Sequence, residues 1–258
     1  MTTRRVALIT GSGTGVGAAT ALQLARRGYD VLVNYSRSAD EAEQTAAACR
    51  AAGADARAMQ GDVSLDADCR SLARAAIERW GRLDALVNNA GVSVFGEAAE
   101  WAALDAEVFQ RILAVNTLGT FQMVRACVEP LRASQGCIVN VSSVAGALGV
   151  GSSMPYIASK GAVNAMTLHL ARALAPAVRV NAVCPGMITT RWFVRGVGQQ
   201  GYEAGLQRYE AGVPLERACS ADDVAEAIVW LIDGAKTVTG ELLLLDSGMH
   251  LAGLAARR

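Results

Sequence analysis

This 258-residue chain has no net charge and contains very little lysine or histidine. Its 24 basic residues are balanced by 24 acidic ones, only two of the basic residues are lysines, and histidine occurs twice. Without a basic excess the chain has no electrostatic footprint for nucleic acid or an anionic membrane, so we expect a small-molecule partner. The apolar run at 6–9 is too short for a signal peptide or a membrane span. We therefore expect a cytoplasmic protein with no membrane partner.

Paired cysteines are missing as well. Six cysteines are scattered along the chain without the short spacings of zinc ligands. Isolated thiols in an intracellular protein stay reduced and serve as small buried apolar residues, so we expect neither disulfides nor a metal site. The six are Cys49, Cys69, Cys127, Cys137, Cys184 and Cys219.

Short β-rich runs alternate with longer alanine-rich helical runs, and 52% of the residues are hydrophobic. This composition suffices for one large core, and the alternation is typical of βαβ units around a parallel sheet. We predict a single α/β domain, 1–258, with a doubly wound seven-stranded parallel sheet and helices on both faces. Strands are expected at 5–10, 30–34, 54–60, 85–89, 137–141, 178–183 and 242–245, and helices near 16–27, 39–52, 65–80, 105–132, 155–174 and 221–232.

One segment, 191–217, breaks this alternation. Helical segments that contain Trp192 and Phe193 are interrupted there by glycines, among them Gly196, Gly198, Gly201 and Gly212. A long irregular segment in a compact domain often covers a ligand, so we predict a mobile substrate lid at about 190–217 rather than a second domain.

A glycine-rich turn follows the first predicted strand and opens the first predicted helix. Glycines there let the backbone approach a pyrophosphate, which binds the unpaired amides of the helix N-terminus. Glycines also serve ordinary turns, but this position between strand and helix favours a dinucleotide site. The predicted cofactor-binding residues of the turn are Gly11, Gly13, Thr14, Gly15, Val16 and Gly17.

The residues after the second strand predict which dinucleotide binds. An NAD site usually presents a carboxylate to the adenosine ribose, and this chain has none there. An amide does not repel a 2′-phosphate and Arg37 can pair with it, which favours NADP(H), with NAD(H) as the alternative. A solvated arginine and an ordinary turn aspartate are the competing interpretations of Arg37 and Asp62. The expected contacts are Asn34, Tyr35, Ser36 and Arg37 after the second strand, and Asp62 and Val63, placed for adenine, after the third.

Lysine is so rare in this chain that Lys160 suggests a chemical role. It follows Tyr156 by four residues on a predicted helix, so both side chains lie on one face. An adjacent ammonium lowers the pKa of a phenol and makes it an acid and base usable at neutral pH. Ser143, at the carboxyl end of a predicted strand, faces the same crevice, whereas strand alternation turns Ser142 away. A strand-end turn is the alternative role of these serines.

From about residue 4 to residue 248, the motifs of this chain and their order resemble those of the short-chain dehydrogenase/reductase family. They include the glycine-rich turn, Asn-Asn-Ala-Gly at 88–91, the Tyr156/Lys160 pair and Pro-Gly at 185–186. The resemblance implies a Rossmann-type fold and an oxidoreductase that uses a nicotinamide cofactor on a carbonyl or secondary alcohol. It also implies that Ser143 polarises the substrate oxygen, that Tyr156 transfers its proton, and that Lys160 holds the nicotinamide ribose. Further implied residues are Asn116, holding a water in a relay to Lys160, and the cofactor contacts Asn89, Ala90, Gly91, Tyr156, Lys160, Pro185, Gly186, Ile188 and Thr190.

The runs at 34–38 and 183–186 are most similar to those of NADPH-dependent 3-oxoacyl-acyl-carrier-protein reductases. Arg132 and Arg172 match the basic residues with which such enzymes dock their carrier, but the shortened segment at 175–179 argues against an acyl-carrier-protein partner. The first-turn arginine common in NADP-specific members is also absent. Because family members commonly pair two long helices, we expect a homotetramer or homodimer.

The residues expected to contact substrate are mostly apolar, which favours a neutral or acyl carbonyl compound. A dehydrogenase of a cyclic ketone, steroid or polyol is the alternative activity, and a nucleotide-binding regulator on the same fold is the alternative function. The presence of all four catalytic residues favours an enzyme. The expected substrate contacts are Ser143, Val94, Phe95, Val150, Met187 and Trp192.

Overall fold

Seven parallel strands form one sheet at the centre of the protein. The computed structural model describes residues 4–251. The strands are β1 Arg5–Ile9, β2 Tyr29–Tyr35, β3 Ala56–Gln60, β4 Ala85–Asn88, β5 Cys137–Val141, β6 Arg179–Pro185 and β7 Leu242–Leu245. Their order in the sheet is β3-β2-β1-β4-β5-β6-β7. The order therefore reverses between β1 and β4, where open α/β sheets bind their ligands. The predicted doubly wound sheet and its seven strands are confirmed.

Helices cover both faces of this sheet, as the alternating sequence predicts. Side chains alternate along each strand, so Ala7 and Ile9 of β1 enter one core while Val6 and Leu8 enter the other. The helices are α1 Gly15–Arg26, α2 Ala39–Ala51, α3 Asp66–Trp80, α4 Ala106–Leu113, α5 Gly119–Ser134, α6 Val144–Leu148, α7 Met154–Leu174, α8 Arg191–Gly212 and α9 Ala221–Asp233. The first core is closed by α1, α2 and α9, and the second by α3, α5 and α7.

The prediction of a single helix at 105–132 is wrong in one respect. The chain forms α4, then a π-helical turn at Ala114–Leu118, then α5. A π turn inserts one extra residue into a helix and shifts the faces of the two flanking segments, and such turns are frequent at functional sites. The turn at Ala114–Leu118 contains Asn116.

All six cysteines are buried free thiols. Within residues 4–251, no cluster of histidine, cysteine, aspartate or glutamate side chains has the arrangement of a metal site. No helix in the same part of the chain is long and apolar enough to cross a membrane.

Candidate active site

A cavity of about 1200 Å³ opens at the carboxyl ends of the strands. This is the edge at which the sheet order reverses, so the topology itself creates the crevice. Almost every predicted site residue reaches this cavity. Its walls include Gly11, Thr14, Gly15, Val16, Asn34, Ser36, Arg37, Asp62, Val63, Asn89, Ala90, Gly91, Phe95, Ser143, Val150, Tyr156, Lys160, Pro185, Gly186, Met187, Ile188, Thr190 and Trp192.

The glycine-rich turn faces the cavity on one side and is hydrogen-bonded to Asn89 on the other. Helix α1 begins at Gly15, and its N-cap Thr14 makes no side-chain hydrogen bond to the first amides. Gly11 and Gly15 have φ of +60° and +58°, which favours glycine at both positions. A Cβ on Gly15 would meet only Thr190, at 3.8 Å, across the cavity. Free helix amides beside Gly11 and Gly15, which have no side chains, fit a dinucleotide pyrophosphate.

Asn89 braces this turn from behind. Its amide nitrogen donates to the backbone oxygens of Thr10, at 2.9 Å, and Gly11, at 3.0 Å. A Cβ on Gly17 would lie 2.6 Å from that same amide nitrogen, so the contact requires glycine. Gly13 packs against the backbone of Ala42 and does not line the cavity. Gly13 and Gly17 therefore shape the turn by packing, and Asn89 holds it by hydrogen bonds while also bordering the cavity.

Asn34 lines the cavity, but its amide is already engaged. Its oxygen accepts a 3.1 Å hydrogen bond from the Gly11 nitrogen, and its nitrogen donates to the Gly61 oxygen at 3.0 Å. The side chain thus ties β2 to the glycine-rich turn and to the end of β3. The next residue, Tyr35, packs against the core. Ser36 and Arg37 are the two residues after Tyr35 that border the cavity.

Asp62 is a turn residue that also borders the cavity. One carboxylate oxygen accepts hydrogen bonds from the backbone and the hydroxyl of Ser64, at 2.9 and 2.7 Å. Asp62 therefore shapes the turn after β3, and it also borders the cavity beside Val63.

Ser143 and Ser142 point in different directions, as strand alternation predicts. The Ser142 hydroxyl donates to Asn164 Oδ1 at 2.5 Å and is buried. Ser143 is the N-cap of α6: its hydroxyl accepts from the Ala145 amide at 3.1 Å and lies beside Tyr156. Both serines border the cavity, but it is the Ser143 hydroxyl that lies beside the phenol.

Tyr156 and Lys160 both lie on α7, one turn apart and almost fully buried. Burial raises the pKa of Tyr156 to about 12, although the hydrogen bond with Ser143 lowers it. Burial also lowers the pKa of Lys160 to about 8. The sequence predicts a tyrosine pKa lowered by the lysine, and the net direction here is the opposite. The reason is that removing the phenolate from water outweighs its favourable contacts.

Helix α7 is held in place by a close contact with α6. A Cβ on Gly146 would lie only 2.4 Å from the backbone carbonyl carbon of Lys160. Only glycine allows this approach of the two helices. The Lys160 ammonium donates a 2.7 Å hydrogen bond to the Val141 oxygen at the end of β5, which ties α7 to the sheet.

Asn116 does not reach the cavity surface, since its side chain is buried in the π turn. Its oxygen accepts from the Val92 amide at 2.8 Å, and its nitrogen donates to the Val92 oxygen and to Ser159 Oγ, both at 3.0 Å. These bonds connect the π turn to the segment after β4 and to α7. A Cβ on Gly91 would lie 3.5 Å from the side-chain oxygen of Asn116 and 3.8 Å from the side-chain nitrogen of Lys160. Asn116 and Lys160 therefore both approach the same position beside Gly91.

The segment expected to form a lid is helix α8, with a non-helical break at Gly198. At its start, Arg191 forms a 2.8 Å ion pair with Glu41 of α2. Near its end, Tyr209 donates to the Asp246 oxygen at 2.9 Å and rests on Gly186. The helix is thus fastened at both ends across the cavity.

Helix α8 also brings positive charge to the cavity, which was not predicted from the sequence. Of the expected substrate contacts, all but Val94 line the cavity and most are apolar, but arginines from α4 and α8 line it too. Arg191 and Arg195 are four residues apart, and this spacing would have placed both on one face of a helix. The additional arginines are Arg111, Arg191, Arg195 and Arg208.

Comparisons with known proteins agree with this geometry. A family model described as Enoyl-(Acyl carrier protein) reductase matches residues 11–250. A Streptomyces violaceoruber protein named "Granaticin polyketide synthase putative ketoacyl reductase 2" is 44% identical over 247 residues, 95% of this chain and 96% of that protein. The 3-oxoacyl-acyl-carrier-protein reductase FabG of Staphylococcus aureus is 33% identical over 248 residues, 95% of this chain and 98% of that one.

A solved structure is similar over nearly the whole chain. It is the crystal structure of a "putative short-chain dehydrogenase/reductase" from Burkholderia xenovorans, with a TM-score of 0.88 and 39% sequence identity. The similarity covers 97% of this chain and 100% of that one.

Proposed function

Because this chain belongs to the short-chain dehydrogenase/reductase family, we propose that it reduces the 3-oxo group of an acyl thioester or a close analogue, with NADPH as the reductant. Proteins of this family use nicotinamide cofactors and act on carbonyl and CH–OH groups. The observation that carries the proposal is that Ser143, Tyr156 and Lys160 lie in one cavity with the open glycine-rich turn.

Tyr156 is the proton donor in this proposal. With a pKa raised to about 12, the buried phenol keeps its proton at neutral pH and can give it to a carbonyl oxygen that gains negative charge. The neighbouring Ser143 hydroxyl holds the same oxygen and stabilises that charge. Both groups are fixed on α6 and α7 before substrate arrives, so little reorganisation is needed.

Lys160 binds and orients rather than reacting itself. Its ammonium faces the cavity beside Gly91 and would hold the nicotinamide ribose, while Ile188 and Thr190 would hold the carboxamide. The bound nicotinamide supplies the hydride. Asn116 positions the Val92 segment next to the lysine, which keeps the floor of the site in place.

The preference for NADP(H) rests on the end of β2. Ser36 and Arg37 border the cavity there, and the run from Asn34 to Ser38 contains no carboxylate. Ser36 and Arg37 offer a hydroxyl and a guanidinium to a 2′-phosphate, and a guanidinium suits phosphate geometry.

Two relatives named ketoacyl or 3-oxoacyl reductase support the proposed substrate class. A homo-oligomer is part of the proposal, because Leu118, Phe121 and Leu168 are exposed apolar residues on the π turn, α5 and α7. Two-fold pairing of these helices would bury them.

The test is reduction of the N-acetylcysteamine thioester of acetoacetate by the purified protein. We expect saturable oxidation of NADPH, with NADH at least about tenfold poorer in kcat/KM. We also expect Arg37→Gln to weaken NADPH binding by about tenfold and NADH binding little, as one charge-assisted contact predicts. Arg27→Gln, an exposed arginine outside the cavity, is the control. A preference for NADH would refute the cofactor assignment, and no oxidation of either cofactor would refute the reaction.

A further inference from the structure

Three aromatic side chains form a continuous surface beside Tyr156. Phe95 comes from the segment after β4, and Trp192 and Phe193 come from the first turn of α8. The Phe95 ring centre lies 5.1 Å from that of Trp192 and 5.5 Å from that of Phe193, and Trp192 and Phe193 are 5.8 Å apart. We call these three residues the aromatic wall. All three border the cavity.

The aromatic wall is held by the backbone of α8. A Cβ on Gly196 would lie 2.5 Å from Phe95 Cδ2 and 2.6 Å from its Cγ, so α8 presses against the Phe95 ring only because residue 196 is glycine. The Arg191–Glu41 ion pair and the Tyr209 contact fasten the same helix to the rest of the protein. The wall is therefore a fixed surface with edge-to-face rings.

Trp192 connects the wall to the reacting group. Its ring centre lies 5.7 Å from that of Tyr156, with 50° between the planes. A carbonyl oxygen that reaches the phenol therefore brings its carbon substituents beside the indole. Among the described residues, Asp62 is the one carboxylate in the cavity wall, and it lies after β3 rather than near the aromatic wall. Nothing near Tyr156 thus favours a cationic substrate.

Hydroxyl groups also lie near the aromatic wall, on Ser93, two residues before Phe95, and on Ser152. Ser93 Oγ lies 2.6 Å from Ser152 Oγ and 3.3 Å from Ser153 Oγ, and Ser152 borders the cavity. Hydroxyls that already bond each other can accept or donate one more contact to a second oxygen of a substrate, such as the acyl carbonyl of a 3-oxoacyl compound.

From this arrangement we propose that the natural substrate carries a planar aromatic or conjugated ring close to the carbonyl that is reduced. The proposal rests on the proposed function and specifies its substrate. A planar ring gains edge-to-face contacts with the aromatic wall that a saturated ring of the same carbon count cannot make. It also arrives rigid, so it loses less conformational freedom on binding than a linear acyl chain does.

The test compares two esters that differ only in the ring: ethyl 3-oxo-4-phenylbutanoate and ethyl 4-cyclohexyl-3-oxobutanoate. A methylene separates the ring from the ketone in both, so neither carbonyl is conjugated with a ring, and the variants, measured with both esters, correct for any remaining difference in reactivity. We expect kcat/KM with NADPH to be about tenfold higher for the phenyl ester in the wild-type protein. In Trp192→Leu and in Phe95→Leu we expect this ratio to fall to about one. Trp101→Leu, at a residue 79% exposed and outside the cavity, should keep the wild-type ratio.

Ethyl acetoacetate, which has no ring, separates the two proposals. If the wild-type protein reduces ethyl acetoacetate but shows no preference between the two ring esters, the ring proposal is overturned and the proposed function stands. If both variants keep the wild-type ratio, the aromatic wall does not select the substrate and the ring proposal is again overturned. If no 3-oxo ester is reduced, both proposals fall.

Discussion

The side-chain nitrogen of Lys160 lies 5.6 Å from the centre of the Tyr156 ring and donates a 2.7 Å hydrogen bond to the backbone oxygen of Val141. In the part of the chain described by the structure, this ammonium forms no ion pair with a carboxylate. Burial lowers the pKa of Lys160 to about 8. A cation so close to losing its charge makes cofactor binding depend on pH.

We expect the affinity for NADPH to fall as the pH rises through about 8, because the deprotonated amine offers no charge to an anionic dinucleotide. Fluorescence titration at constant ionic strength, from about pH 6 to 10, measures this directly. Lys160→Met should bind NADPH more weakly at low pH and show no inflection near pH 8. An affinity that is flat across this range in the wild-type protein would rule out this role of the ammonium.

The buried charge of Lys160 should also lower the free energy of unfolding. Its pKa is lowered from 10.5 to about 8 in the folded state, so the unfolded chain binds more protons between these values. Stability therefore rises with pH across this window, and at pH 7 the buried charge is unfavourable. We expect Lys160→Met to raise the free energy of unfolding at pH 7 by about 1–3 kcal/mol, less than the full shift because Val141 loses a partner. Urea unfolding at pH 7 measures it, and a destabilised variant would contradict it.

The contact between α6 and α7 predicts opposite effects for two neighbouring glycines. A Cβ on Gly146 would overlap the Lys160 carbonyl group, whereas a Cβ on Gly161 would meet nothing closer than 3.9 Å. We expect Gly146→Ala to destabilise the protein by about 1–3 kcal/mol and to lower kcat/KM, since α7 must move with its two catalytic residues. Gly161→Ala should be neutral or stabilise by about 0.5–1 kcal/mol. Urea unfolding and steady-state kinetics of both variants check this, and equal behaviour would contradict the close contact.

The ion pair between Arg191 and Glu41 should slow cofactor release. It joins the start of α8 to α2 across the cavity, and the Arg191 guanidinium keeps the pKa of the Glu41 carboxyl low. We expect Glu41→Gln to increase the dissociation rate of NADPH about two- to fivefold, a modest change because exposed ion pairs are weak. Glu43→Gln on the same helix, which breaks the local pair with Arg50, is the matched control. Stopped-flow fluorescence gives both rates, and equal rates would show that the pair does not fasten α8.

Much of this fold could be predicted because its signals are local. Strand and helix periodicity determine the seven-stranded sheet, and the glycine-rich turn is recognisable because Gly11 and Gly15 occupy positive φ between a strand and a helix. Tyr156 and Lys160 are four residues apart on one helix, so their proximity also follows from the sequence.

The remaining features depend on contacts between distant residues. Arg191 and Glu41 are 150 positions apart, and the hydrogen bonds of Asn34 require three chain segments to meet. The π turn around Asn116 has no glycine or proline to indicate it. Whether the pKa of Tyr156 is raised or lowered depends on how completely the folded protein excludes water from the phenol. The spacing of Tyr156 and Lys160 in the sequence does not reveal this.

Tyr156→Phe tests the proposed chemistry most directly, because it removes one oxygen from the buried ring and nothing else. We expect kcat/KM for the 3-oxoacyl thioester to fall by about 10²–10⁴-fold, the usual contribution of a positioned acid. The dissociation constant for NADPH, measured on the same preparation, should change by less than about twofold, since Lys160 and the glycine-rich turn are intact. Reduction of the thioester by Tyr156→Phe at the wild-type rate would contradict the assignment of Tyr156 as the proton donor.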